Sequence, residues 1–387
     1  MAVAALFLTN GAIFANMLPR YPEIKSDLGM SNTAFGLAVA AFSAGALLSG
    51  LTAGILIRRF GSARVAVLST LALAGFALTA AAAPTAIAFG GALFVAGAAD
   101  AITDVAQNAQ GLRLQRNYGR SILNSLHALF SIGAVLGGLM GAAAISLGIS
   151  RTAQLATSGL LFCALCLVSY AFLLRGPDHT GPDVPRAASD GRTPGILVAY
   201  ALVAALAIFA IAGSVVEDAG NSWGTIYLRD SVGAPAAVAA FGYIAMVSAM
   251  FVGRLTGDRL VDRFGVRAVA VAGGALIAAG MGAALAFPTA LGTIAGFAAA
   301  GLGVATVAPA AFQAADTVPG LRPGTGLTVV TWLMRVGFLL ASPIVGAIAD
   351  ATSLRVGLLL VPVAGVVIIV FATVLKGRRR ALSAPSR

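Results

Sequence analysis

Apolar residues in this chain come in long, nearly uninterrupted runs, with neither strict alternation nor a single helical stripe. Twelve runs can be drawn, over residues 2–18, 33–57, 65–83, 85–109, 121–147, 153–174, 195–228, 235–260, 266–287, 289–315, 324–349 and 354–375. A helix rises 1.5 Å per residue, so about 20 apolar residues cross a hydrocarbon core of roughly 30 Å. Each run is therefore expected to be one membrane-spanning helix. The spacers are short and hold Gly, Pro or Arg, which leaves no room for a separate soluble catalytic domain. Residues 175–193, RGPDHTGPDVPRAASDGRT, are the exception: three Pro, three Gly and alternating charges without apolar period read as a linker. The expected organisation is a six-helix bundle over 1–174, a linker over 175–194, a second six-helix bundle over 195–376 and a basic tail over 377–387.

Composition agrees with lipid as the main solvent. Hydrophobic residues make up 59 % of the chain, charged residues 10 %, and the mean hydropathy is +0.94, values foreign to a soluble globule. The net charge of +11 then needs no nucleic acid, because insertion topology and anionic lipid account for it. Lys and Arg accumulate in cytoplasmic loops. One alternate set of loops and the tail holds 18 of the 25 basic residues, among them Arg58, Arg59, Arg64, Arg113, Arg116, Arg259, Arg263 and Arg267. The opposite set holds five: Arg20, Lys25, Arg151, Arg229 and Arg355. Arg254 and Arg335 fall inside runs. Both termini are thus expected in the cytoplasm, and with no basic stretch before the first run a cleaved signal peptide is not expected.

The two halves repeat at a constant offset of 204 residues. Gly29 matches Gly233, Phe60-Gly61 matches Phe264-Gly265, Pro84-Thr85-Ala86 matches Pro288-Thr289-Ala290, and Gly133 matches Gly337. A duplicated bundle with a cavity between its copies suits alternating access.

Ionisable groups within the runs carry the candidate chemistry, since each costs several kcal/mol to bury unless a partner or water meets it. The stretch GAADAITDVAQNAQG places Asp100, Asp104 and Asn108 on one helical stripe, four residues apart. By rise per residue Asp100 lies about 22 Å and Asp104 about 28 Å from the outer boundary. His127 reaches a similar depth on the next helix. Asp100, Asp104, His127 and Glu217 are the candidates for proton coupling. Asn10, Asn16, Asn108, Glu217, Asn221, Trp223, Trp332 and Arg335 are the candidates for substrate binding, with Arg335 expected to meet Glu217 or the substrate. Competing readings are a structural ion pair of Asp104 with Arg113, Asp100 facing headgroups, and Trp223 as an interfacial belt residue. Of Glu217 and Asp218, about 100° apart on a helix, Glu217 is expected to face the cavity because it shares a face with Asn221. Cys163 and Cys166, a CxxC with no His or acid near, read as apolar filling, and no metal or cofactor is implied.

Over essentially its whole length the chain resembles the major facilitator superfamily. GRLTGDRLVDRFGVR, residues 253–267, is similar to that family's gate signature of Gly, then Asp-Arg-x-Gly and a basic residue. The resemblance implies gating roles for Arg254, Asp258, Asp262 and Arg263. The first-half equivalent, GILIRRFGSAR, departs from the signature by placing Arg58 where the Asp is expected. RYPEI, DVAQN, LHALFSIG and EDAGNSW resemble the MosC-like branch of bacterial inner-membrane proteins, which implies a small polyol, sugar or amine as substrate. The helix-five motif of drug/proton antiporters is half present, for GAVLGGLMG has its glycines and lacks its proline.

The expected molecule is thus an all-α membrane protein of twelve helices in two pseudo-symmetric bundles, a secondary transporter of the bacterial inner membrane and not an enzyme. Its partners would be a small-molecule substrate, protons and membrane lipid, and the family default is a monomer. No GxxxxGK[ST] motif is present to couple transport to nucleotide hydrolysis, so a proton gradient is the expected drive. Proton-coupled export of a drug or natural product is the alternative. More remote are an intramembrane enzyme, for which only LTGD and a same-helix His127/Ser131 pair offer residues, and a non-transporting sensor.

Overall fold

The computed structural model describes residues 1–119, 122–174, 176, 196–321 and 324–375. Apart from Gly176, the expected linker lies outside the described residues, as do the basic tail, Arg120 and Arg322. Among the described residues twelve spans are formed: α1 Ala2–Asp27, α2 Asn32–Phe60, α3 Ser62–Ala81, α4 Ala86–Tyr118, α5 Leu123–Ser146, α6 Arg151–Tyr170, α7 Ile196–Ser231, α8 Ala236–Phe264, α9 Val266–Ala286, α10 Ala290–Asp316, α11 Thr325–Ala351 and α12 Leu354–Val374.

Several spans run past their apolar runs. α1 was expected to stop at Leu18 and continues to Asp27, bending through a 3₁₀ turn over Leu18–Arg20 where Pro19 and Pro22 each remove a backbone donor. The extension is amphipathic: Tyr21 and Ile24 are buried while Lys25 and Asp27 are not. α4 extends to Tyr118 and ends at Gly119, whose φ of +66° suits only glycine well. α10 breaks between Val304 and Val307, and Pro309 stands in the first turn of its second segment, where a missing N–H is least costly.

Packing repeats with the sequence. α1 lies against α5, α2 and α3 against α4, and α3 against α6; α7 against α11, α8 and α9 against α10, and α9 against α12 reproduce the pattern. The 204-residue register extends to fine detail. Gly61 and Gly265 turn the chain at φ +81° and +87°, and Thr85 and Thr289 each cap a helix by accepting from the N–H three residues on. A Cβ on Gly97 would fall 2.0 Å from the Phe42 carbonyl oxygen, and one on Gly301 would fall 2.1 Å from that of Met246. These helices touch backbone to backbone, the contact on which association in lipid depends.

Gly301→Val is therefore expected to cost about 1–3 kcal/mol, the range for overpacking a close contact. Gly282→Ala, where a new Cβ meets nothing within 4 Å, is the control. Equal thermal unfolding midpoints for the two variants in detergent would refute the contact.

Candidate functional site

A cavity of about 400 Å³ lies between the first six spans and the last six. On the face opposite the arginine-rich loops it is closed by packing across the two sets. α2 meets α11, where a Cβ on Gly36 would come 2.4 Å from the Ser342 carbonyl oxygen and one on Gly346 would come 2.4 Å from that of Asn32. Asp350, near the end of α11, accepts from the backbone N–H groups of Asn32 and Thr33 at 2.9 and 2.7 Å. Its charge therefore sits on the N-terminus of α2, where a carboxylate complements the unpaired N–H groups and the dipole. α5 meets α8 through Tyr243, whose Oη donates to the Ala134 carbonyl at 3.4 Å, and Lys25 pairs with Asp230 at 3.8 Å. Behind this seal α1 and α6 are tied by buried Arg20, which donates to Gln154 at 2.7 Å and Glu23 at 2.8 Å, and by Arg151 with Asp27. At the other end Asp104, His127 and Arg254 are exposed. The cavity opens toward the basic face.

Four carboxylates and two guanidinium groups line it: Asp100, Asp104, Glu217 and Asp218 with Arg254 and Arg335. Phe14, Phe42, Phe130 and Phe338 supply apolar wall, and Tyr21 and Tyr243 stand among the lining residues from α1 and α8. Asn10 and Asn221 also line the space, as expected. Asn10 is almost fully buried, and its side-chain oxygen has no hydrogen-bond partner among the described residues.

On α4 the stripe of Asp104 and Asn108 reaches across to α5. The Asn108 amide nitrogen donates to the Asp104 carboxylate at 3.0 Å and to its backbone carbonyl at 2.9 Å. The amide oxygen lies 3.1 Å from His127 Nε2. With the amide nitrogen committed to two acceptors, its oxygen must accept, so Nε2 carries the proton. Asn108 thus holds an acid and an imidazole in fixed relation. Asp104 bonds here and not to Arg113, which donates to the Gly176 carbonyl at 3.3 Å. Asp100 is half-buried in the cavity one turn away.

Other sequence expectations land elsewhere. Arg335 lines the cavity beside Gly50 of α2, with Asp100 and Asp104 among the other lining residues, and makes no ion pair with Glu217. Asp218 lines the cavity together with Glu217, its carboxylate accepting from Ser342 at 2.6 Å and Ser222 at 3.3 Å. Trp223 is fully buried and stacks edge-on against Phe35, so it is neither a belt residue nor a cavity residue. Two residues beyond Asn221 is 200° around the helix, which turns it away. Trp332 is 53 % exposed and outside the cavity, a turn nearer the basic face than Arg335. Asn16 is buried at the bend of α1, donating to Ala12 and accepting from Gln154, and does not line the cavity. Of the gate candidates, Arg254 points into the cavity and forms no ion pair with Asp258 among the described residues, while Asp258, Asp262 and Arg263 are exposed at the basic face. Tyr21, Ser131, Asp218 and Tyr243 line the cavity without having been singled out as binding residues. The repeat register could have found Ser131, which falls on Arg335 when shifted by 204.

Residues 3–261 match the model of the Major Facilitator Superfamily. Membrane protein MosC of Rhizobium meliloti is 32 % identical over 370 residues, covering 95 % of this chain and 88 % of that protein. Among solved structures, the nucleoside transporter NupG superimposes with a TM-score of 0.76 at 15 % identity, over 97 % of this chain and 99 % of the other. A bacterial homologue of the human lysosomal transporter Spinster, inward-facing and occupied, gives 0.73 at 14 % identity, over 96 % and 94 %. At those identities the two structures speak for the fold.

Proposed function

The chain belongs to the Major Facilitator Superfamily, and on that premise we propose that it is a secondary transporter moving a small polar solute, a sugar, polyol or amine, by proton-coupled alternating access. The observation that carries this reading is the cavity itself. It lies between two six-helix sets, is sealed on one face and holds four carboxylates and two arginines in a space of about 400 Å³. Such groups in a membrane interior need water, a partner or a substrate, and the cavity provides room for all three. Glu217, which lines the cavity and has no ion pair or hydrogen bond among the described residues, would accept from a ligand rich in N–H or O–H groups, with Asn10 and Asn221 beside it.

Alternating access then means rocking the two bundles, 1–174 and 195–376, so that the α2–α11 and α5–α8 seals part and the basic face closes. Asp258, Asp262 and Arg263 would form that second closure. The protein would work as a monomer.

A second reading has the four phenylalanines in its favour: export of an amphipathic natural product in exchange for protons. Everted vesicles carrying a pH-quenched dye separate the two. A sugar, polyol, amine or nucleoside that dissipates the quench supports the first reading, whereas responses confined to hydrophobic drugs support the second.

Orientation has its own test. The arginine loops should face the cytoplasm of the bacterial inner membrane with both termini, and residues 175–193 should be cut by protease only from inside. A cysteine placed at Ser189 is expected to resist membrane-impermeant thiol reagents in intact cells. Labelling from outside would invert the topology.

A further inference from the structure

A second cavity, of about 430 Å³, lies at the basic face beside the turn from α2 to α3. Arg58, Arg59 and Arg64 line it together with Phe60, Tyr170 and Leu174, and among the described residues no Asp or Glu does. None of the three arginines is in an ion pair among the described residues.

The internal repeat supplies a built-in comparison. Shifted by 204, Arg59-Phe60-Gly61 becomes Arg263-Phe264-Gly265. The backbone is the same, with φ +81° and +87° at the two glycines, and each arginine sits 5.3 Å from the ring that follows it. The charges differ. Gly54 and Arg58 correspond to Asp258 and Asp262, so the second turn carries two carboxylates among its arginines and the first carries none. Packing cannot explain the difference, because the two turns have one shape. Three like charges crowded at one turn repel each other, and an anion between them relieves that repulsion.

We propose that this cavity is a binding site for a phosphoryl group, presented either by an anionic lipid headgroup or by a free phosphate ester. Guanidinium groups match phosphate oxygens in pairs of parallel N–H···O bonds, which ammonium groups cannot do. The walls add the second half of the match. Phe60, Tyr170 and Leu174 put apolar surface beside the cationic rim, at the level where span ends meet headgroups. A phosphodiester with its acyl chains meets both surfaces, and a free ester meets only the rim.

The test uses the full-length protein in an uncharged detergent, with thermal unfolding followed against added phosphatidylglycerol, phosphatidylcholine or glycerol 1-phosphate. Phosphatidylglycerol is expected to raise the midpoint and phosphatidylcholine not to. R58Q/R59Q/R64Q and Arg58→Asp, which installs the residue of the second turn, should weaken the apparent affinity at least tenfold. R259Q/R263Q, on the second turn, should retain the response. Because Arg58, Arg59 and Arg64 are exposed, these variants are expected to fold, and Arg58→Gln alone decides the matter if the triple variant does not. A full response to glycerol 1-phosphate that the variants lose keeps the phosphoryl site and makes a soluble ester its source. No response to either phosphate compound, or a phosphatidylglycerol response undiminished by the arginine substitutions or equally removed by R259Q/R263Q, overturns the proposal.

Discussion

Arg335→Ala is expected to abolish high-affinity substrate binding while leaving a folded, monodisperse protein in detergent. Arg335 is one of two arginines within the spans that line the central cavity, and it has no ion pair or hydrogen bond among the described residues. Its guanidinium reaches from α11 toward Gly50 of α2, so it stands at the seam between the two six-helix sets. The fold does not need it. On the same helix Gly346 packs against the Asn32 backbone, Gly337 packs against the Ser214 side chain, and Asp350 makes the polar contact. Deleting one partner of a desolvated, charge-assisted bond costs about 2 kcal/mol or more, at least ~30-fold in affinity. Binding measured by calorimetry or thermal shift with the transported solute checks it. Unchanged affinity would remove Arg335 from the site and leave Glu217, Asn10 and Asn221 to define it.

Asp104→Asn should uncouple transport: gradient-driven accumulation is lost, and exchange of solute across the membrane continues. Exchange needs no net proton movement, so it separates a coupling role from a binding or structural one. The geometry that motivates this is the chain from Asp104 through the Asn108 amide to His127 Nε2, open to the cavity on the basic face. A carboxylate and an imidazole held one residue apart change each other's affinity for a proton, and closing the basic face removes the water that now reaches both. Asparagine keeps the shape and an acceptor for Asn108 and removes the proton site. His127→Gln should behave in the same way. Normal accumulation by Asp104→Asn under a pH gradient would refute the coupling role, and loss of exchange as well would make Asp104 a binding residue. Proteoliposomes loaded with labelled solute measure both.

Much of the architecture was legible in the residue order because lipid imposes a simple condition. Every spanning segment must bond its own backbone and be apolar for about 20 residues, so twelve runs meant twelve helices. The repeat was equally legible. Phe60-Gly61 and Phe264-Gly265 share a register because the turn they make demands a positive φ, which glycine alone adopts freely. Asp100, Asp104, Glu217, Asn10 and Arg335, which all line the cavity, stand out by a third rule, that a polar group in an apolar run is costly unless water or a partner meets it.

Orientation around each helix was a different matter. In a soluble protein the polar face of a helix marks the side away from the core, whereas here lipid-facing and partner-facing sides are both apolar and the stripe vanishes. Hence Trp223, Trp332, Asn16 and Asn108 were assigned to a cavity that none of them lines, and Asp218 was set aside although it does. Run length determined where the chain crosses the membrane, and glycine and charge determined where it turns. Only the tertiary structure decided that Asp350 caps a helix 318 residues earlier, that Asp218 meets Ser342, and that Asn108 joins Asp104 to His127. The reason is that such contacts depend on the rotation and tilt of packed helices, set by small-residue backbone contacts spread across both halves.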